Sequence, residues 1–368
     1  MTNTVVQGLP RWSLAVPPLA FVVLLLSWHR DLGVVLLILV CAGLGAAVIA
    51  AVHHAEVVAH RVGEPFGTLI LALAVTVIEV ALIVTLMAPG GVKAATLARD
   101  TVFAAVMITC NGILGLSLVV GSLRHGTQEF RVRASSSALS VMTALVTLSL
   151  VLPTFTTSAP GPQFSSAQLA FAGVTSLVMY GVFVFVQTVR HRDYFLPVQS
   201  PEVVEEDEDD AHAAAPSGKV ALLSLGLLFV CLVSVVGLAK AVSPSLESAV
   251  ESAGAPVAVV GVAIALLVLL PETVAAVRAA LRNRLQTSIN LALGSALASI
   301  GLTIPAIAVA SIWLSGPLVL GLGGKEMVLF ALTVVTSILT LATGRATLLQ
   351  GAVHLMVFSA FIFLAISP

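Results

Sequence analysis

Eleven stretches of this chain, at residues 13–29, 33–53, 66–88, 101–121, 136–157, 167–189, 219–242, 255–280, 285–314, 326–343 and 348–366, are apolar over the length a helix needs to cross a bilayer. The hydrocarbon core asks for about 20 such residues in a row, and a spanning segment can leave no backbone group unpaired in lipid. These runs are far longer than the ~10 residues of a barrel strand, so the spans are helical. The chain is therefore predicted to be an all-α polytopic membrane protein with eleven transmembrane helices. Only 10% of its residues are charged, against about 25% in a soluble chain, too few to cover a globule in water.

Charge also limits the partners. The 17 Lys and Arg residues are balanced by 18 Asp and Glu residues, so there is no basic excess for a nucleic acid. Cys41, Cys110 and Cys231 all lie in apolar runs without CxxC or His-paired spacing, which excludes a disulfide framework and a structural zinc site and predicts small core residues. One arginine, Arg11, precedes the first run and no small-residue cleavage pattern follows it, so that run reads as a retained span and not a signal peptide.

With the N-terminus on one side, the alternate loops there collect Arg11, Arg61, Arg124, Arg131, Arg133, Arg190, Arg192, Lys219, Arg278, Arg282, Arg284 and Arg345, while the other side receives Arg30, Lys93, Arg99, Lys240 and Lys325. This bias places the N-terminus in the cytoplasm and, after an odd number of spans, the C-terminus outside, in a multi-pass protein of the cell's inner (plasma) membrane. The one long loop, 190–218, is then cytoplasmic. From Glu202 to Asp210 it carries seven carboxylates in nine residues, without the glycine or the spaced ligands of an EF-hand. It reads as a solvated linker, with cation concentration at the cytoplasmic entrance as the other reading.

That linker separates five spans within 33–189 from five within 219–368, leaving residues 1–32 as a cytoplasmic tail and an extra N-terminal helix. Five is odd, so the second set enters the membrane from the opposite side, and related sets would form two inverted five-helix repeats. The second span of each set carries one glutamate, Glu79 after Gly67 and Glu272 after Gly261, and these are the acids expected inside spans, away from their ends. A charge at that depth is costly, which makes an intramembrane acid a site by default. Arg278 does not explain Glu272, because six residues on a helix set the two about 120° apart. Pro271, just before Glu272, predicts a kinked or discontinuous helix, the usual place for ion ligands in transporters.

The third span of each set is rich in small and polar residues, among them Asn111 in the first and Asn290, Gly294, Ser295 and Ser299 in the second. Asn111, Asn290, Ser295 and Ser299 serve either helix packing or the neutral oxygens that a hard cation takes beside two carboxylates.

These residues resemble the cation/proton exchangers of the calcium/cation antiporter superfamily, and in particular the bacterial ChaA-type Ca²⁺/H⁺ antiporters. The resemblance rests on Ala74-Val-Thr76-Val-Ile-Glu79-Val-Ala-Leu-Ile, Leu97-Ala-Arg99-Asp100-Thr-Val-Phe, Leu270-Pro271-Glu272, and Arg282-Asn-Arg284 running on to Asn290-Leu-Ala-Leu-Gly294-Ser295, and it spans nearly the whole chain. It implies that Glu79 and Glu272 bind the cation at the membrane midplane and carry the protons, with Asn111, Gly294, Ser295 and Ser299 at the family's flanking positions. It implies no cofactor; membrane lipid, inorganic cations and protons are the partners. Eukaryotic members carry Gly-Asn shortly before each glutamate, where this chain has Val75-Thr76 and Val268-Leu269, so two amide ligands are absent and Na⁺ or K⁺ stands beside Ca²⁺ as the transported ion.

Two readings from other classes compete. Gly115-Leu-Ser117 with His354 has the residue types of an intramembrane serine hydrolase, but a lone His in an apolar helix is more often a hydrogen-bonded core residue. A passive channel would need polar residues through the full depth of several helices, whereas here they cluster at one level. The group His53, His54, Glu56 and His60 is no HExxH and is expected in a cytoplasmic loop, where a solvated helix end is the first reading and weak metal binding or pH sensing the second.

Overall fold

The computed structural model describes residues 9–28, 30, 32–63, 66–88, 94–195, 216–252, 254, 256, 258–314 and 316–368; the acidic run 202–210 lies outside them. Helices account for most of what is described: α1 (Arg11–Ser27), α2 (Val34–Val62), α3 (Phe66–Met87), α4 (Leu97–His125), α5 (Val132–Thr154), α6 (Ser166–Arg190), the short α7 (Arg192–Phe195), α8 (Gly218–Ser252), α9 (Ala258–Val268), α10 (Leu270–Leu281), α11 (Leu285–Ala310), α12 (Gly324–Leu341) and α13 (Leu348–Ile366). Two short strands, β1 (Gln128–Glu129) and β2 (Arg345–Ala346), join the turns before α5 and α13 in antiparallel register.

Every predicted span is helical. Among the described residues nine helices are long and apolar enough to cross a membrane, and α9 with α10, bent by 53° at their junction, makes a tenth. The remaining predicted span is α1, with 17 residues at the short end of the crossing range, so a count of eleven requires α1 to cross as well.

Two expectations need correction. First, α2 does not end at residue 53. It continues to Val62, where Gly63 donates its N–H to the Ala59 carbonyl at 2.9 Å and, at a φ of 76° that favours glycine, turns the chain out of the helix. His53, His54 and Glu56 are therefore inside a helix and not in a solvated loop, and His54 is fully buried. Second, Cys110 and Cys231 are buried as expected, but Cys41 lies exposed on α2 and is no core residue.

The chain forms two compact units, one of Met1–Pro89 with His212–Ala255 and one of Gly90–Ala211 with Pro256–Pro368, so each half of the sequence contributes to both. In the first unit α2 packs along α8, with α1 and α3 against both. Small residues set these distances: a side chain at Gly237 of α8 would begin 2.5 Å from Leu24 of α1. One imidazole pins α1 to α2, since His54 Nε2 donates to the Ser13 carbonyl at 2.9 Å. In the second unit α4 is the central helix, with α9, α10, α11 and α13 packed around it. Its outer helices expose apolar faces, on α6 Phe171, Val174, Val178 and Phe185, a surface suited to lipid and not to water.

Candidate cation and proton site

In the first unit Glu79 lies in the interior of α3, only 4% exposed, between the fully buried Ile78 and the buried Leu82 and Ile83. Thr76, also buried, is one turn earlier on the same face of the helix. Holding a carboxyl group at such a depth in an apolar helix is costly, which singles Glu79 out as a candidate site residue.

In the second unit Glu272 occupies the first turn of α10, directly after the break from α9. The break follows from the sequence. Pro271 has no N–H to continue the α9 hydrogen-bond ladder, and Leu269, at φ −86° and ψ 0°, turns out of the helical region. The expected discontinuous helix is therefore present. Its consequence is electrostatic, because a carboxylate in a first turn faces unpaired backbone N–H groups and the positive end of the helix dipole.

α10 packs on α11, which carries the remaining residues of the second set. The α10–α11 turn is held from α4 and β1: His125 Nε2 donates to the Leu281 carbonyl at 2.8 Å, and Gln128 Nε2 donates to the Ala280 carbonyl at 3.2 Å and to Asn283 Oδ1 at 2.9 Å. On α11 Ser299 is buried, Ser295 is half-buried, and a side chain at Gly294 would meet nothing within 4 Å. Asn290 links helices instead, accepting from Gln286 Nε2 at 2.8 Å and donating to the Phe195 carbonyl at 2.6 Å, which ties α11 to the end of α7.

Asn111 sits in a π-helical turn, Ile108–Ile113, within α4, a local widening often found at functional positions. Fully buried, it donates to Thr333 of α12 at 2.9 Å, and its Oδ1 lies 3.1 Å from His354 Nδ1 on α13. Sequence alone does not single out Thr333 or Thr340, and it reads His354 as an ordinary core residue. Their signal is present in the pattern Thr333, Thr340 and His354 on two otherwise apolar helices, but only the fold shows that it converges on Asn111.

Other acids within helices include Glu56 and Asp100. Glu56 is in α2, with His53 Nδ1 4.0 Å away, and Asp100 is in the first turn of α4, bound by Arg99 at 2.7 Å and by Thr96 at 2.8 Å. Among the described residues no three His, Cys, Asp or Glu side chains gather as a metal cage, so the His53–His54–Glu56 group does not form one.

The sodium/calcium exchanger protein model matches residues 32–189 and 223–367. The chain belongs to the sodium/calcium exchanger protein family. The exchanger is 49% identical to the putative ionic transporter y4hA of Sinorhizobium fredii, over 98% of this chain and 97% of that one. It is 37% identical to the sodium-potassium/proton antiporter ChaA of Escherichia coli, over 95% and 94%. Its fold matches that of native YfkE with a TM-score of 0.73 at 18% identity, across 97% of the exchanger and 99% of the other chain. The resemblance to the cation/proton exchangers is thereby borne out. The exchanger is a multi-pass membrane transporter and not an enzyme, which removes the hydrolase reading.

Proposed function

We propose that this exchanger moves cytoplasmic Ca²⁺ outward in return for external H⁺ by alternating access, with Glu79 and Glu272 as the groups for which cation and protons compete. The observation that carries the reading is Glu272 in the first turn after a broken span, the arrangement by which transporters expose ion ligands inside a membrane. Glu79, buried in its own apolar helix, supplies the second carboxylate.

The chemistry follows from charge balance. Two glutamates neutralise one Ca²⁺ or two protons, so either loaded state can cross, whereas the empty site with two bare carboxylates is penalised by desolvation. Cation binding therefore expels protons, and proton binding expels the cation, without any covalent step. Thr76 in the first unit and Ser295 and Ser299 in the second add neutral oxygens, Gly294 leaves room beside the two serines, and Asn111 and Asn290 support the helices that carry the second unit's share. Movement of α2 and α8 exposes the glutamates to the two sides in turn. The transporter lies in the bacterial inner membrane, where a proton gradient drives the exchange.

Exchange of Na⁺ or K⁺ for H⁺ on the same site is the second reading. It is favoured by the name of the 37% identical Escherichia coli relative, a sodium-potassium/proton antiporter, and by Val75-Thr76 and Val268-Leu269 standing where amide ligands would favour Ca²⁺. Inverted vesicles with an imposed pH gradient separate the two: ⁴⁵Ca²⁺ uptake identifies the first, ²²Na⁺ or ⁸⁶Rb⁺ uptake the second. Glu79→Gln and Glu272→Gln should each abolish that uptake, and normal uptake by either variant overturns the assignment of that residue. Flux that persists with no proton counter-gradient would mean a channel.

A further inference from the structure

A groove of about 570 Å³ runs between α5 and α12 in the second unit and opens sideways beside the exposed, lipid-facing Leu148 and Ile338. One wall is a stripe of α5 formed by Ser136, Ser140, Thr143 and Thr147, and the other is Val334 and Ile338 of α12. The stripe has the composition of a polar site, but its hydrogen bonds make it an apolar one. The four hydroxyls lie 2.7, 2.8, 2.8 and 2.7 Å from the carbonyl oxygens of Val132, Ser136, Leu139 and Thr143. A carbonyl only accepts, so each hydroxyl gives its one proton to its own helix and has none for a guest. The groove offers an occupant no donor, and its size lies within the ~300–1,000 Å³ of ligand sites.

Its length and its charge say what that occupant is. Along α5 the wall from Ser136 to Thr147 rises about 17 Å at 1.5 Å per residue, close to half of the ~30 Å hydrocarbon core, so the groove is one leaflet deep. Its outer end lies where α5 begins and α12 stops, and where β1 pairs with β2. There Arg133 stands one turn before Ser136 on the same face of α5, Arg131 directly precedes the helix, and Arg345 follows α12; all three are exposed. Arg345 is paired with Glu129 at 2.9 Å, and the Arg133 guanidinium lies over the Tyr194 ring, 5.7 Å from its centroid. A guanidinium stacked on a ring keeps its N–H edge for a phosphate. Three arginines against one glutamate leave this end of the groove positive.

We propose that the α5–α12 groove binds one phospholipid with an anionic headgroup, an acyl chain lying along the groove and the phosphate resting at Arg131 and Arg133. The absence of a free donor along the stripe excludes a polar solute, the depth of one leaflet and the sideways opening suit a chain that enters from the bilayer, and the positive end favours an anionic headgroup over a zwitterionic one. The lipid completes a contact between α5 and α12 that the small side chains of Ser140, Ala144 and Ala342 leave open.

Native mass spectrometry of the full chain in detergent tests this, with phosphatidylglycerol and phosphatidylcholine of the same acyl chains added in turn. The most tightly held copy should be phosphatidylglycerol. Arg131→Gln and Arg133→Gln should each weaken it about fivefold, the contribution of about one arginine at an anionic lipid surface, and leave phosphatidylcholine unchanged. Ala144→Phe fills the groove from its exposed side and should remove that copy, whereas Ala170→Phe, on the exposed face of α6, should not. If Ala144→Phe does not elute as a single species, Ser140→Leu, exposed in the same groove, replaces it. Phosphatidylglycerol held as tightly by the filled variant as by the parent overturns the proposal, as does equal retention of the two lipids by the parent. Inorganic phosphate that displaces phosphatidylglycerol, and binds equally well to Ala144→Phe, would assign the arginines to a free anion. A protein dimer lost in Ala144→Phe would assign the groove to a second copy of the chain. Either result also overturns the proposal.

Discussion

Gly351 shows how far a single residue can govern a contact between helices. A Cβ there would begin 2.8 Å from the Val119 backbone nitrogen and 2.9 Å from Leu118 Cβ, and a backbone atom cannot move aside as the end of a flexible side chain can. Gly351→Ala should therefore destabilise the second unit by about 1–3 kcal/mol, the usual cost of overpacking. Gly226 of α8, where an added Cβ meets nothing within 4 Å, is the control: Gly226→Ala should be neutral or stabilising by about 0.5–1 kcal/mol, because alanine is the better helix former. Thermal unfolding of the two detergent-solubilised variants decides this, and equal midpoints would show that α13 can shift away from α4 at little cost. The same scale shows what sequence reading misses. Glu79 stands out in the sequence because an acid within an apolar run is too costly to serve packing alone, whereas glycine and histidine enter such runs for many structural reasons. Only the distances distinguish Gly351 from Gly226, or mark His354 as the partner of Asn111.

At the scale of elements, the helices were legible because a run of about 20 apolar residues has no other stable form in lipid. Their ends were less so. Hydropathy reports where lipid contact stops, and α2 continues beyond that point to Val62 because Ala55, Glu56, Ala59 and Arg61 favour a helix and no glycine or proline interrupts it before Gly63. The break between α9 and α10 was the opposite case, since Pro271 announces it locally. Pro271→Ala restores the missing N–H and removes the ring that obstructs α9, so the two helices should join into a straighter one and take Glu272 out of its first-turn position. The expected effect is a several-fold slower exchange by protein that still elutes as a single species. Unchanged turnover would place the origin of the bend at Leu269 and the surrounding packing, and not at Pro271.

At the scale of the whole molecule, the sequence indicates which residues face lipid but not which helices are neighbours, because apolar contacts between spans leave no periodic signature that names a partner. Hence the compact units, each drawing on both halves of the chain, were not legible, whereas an expected sidedness of the loops can be drawn from arginine and lysine counts alone. One element decides the final topology. The charge bias of the loops from α2 onward places the C-terminus outside whether or not α1 crosses, so α1 alone determines the side of the N-terminus. Its 17 residues are few, but Trp12 and Trp28 are exposed at its two ends, about 24 Å apart along a helix at 1.5 Å per residue, where aromatic rings anchor a short span in both interfaces. α1 should therefore cross and leave the N-terminus in the cytoplasm. A green fluorescent protein fused before Met1 should fluoresce, and an alkaline phosphatase fused after Pro368 should be active. An active phosphatase with a dark N-terminal fusion would mean that α1 lies along the membrane on the outer side and that ten spans, not eleven, carry the exchanger; an inactive phosphatase with a fluorescent C-terminal fusion would reverse the assigned sidedness of the loops.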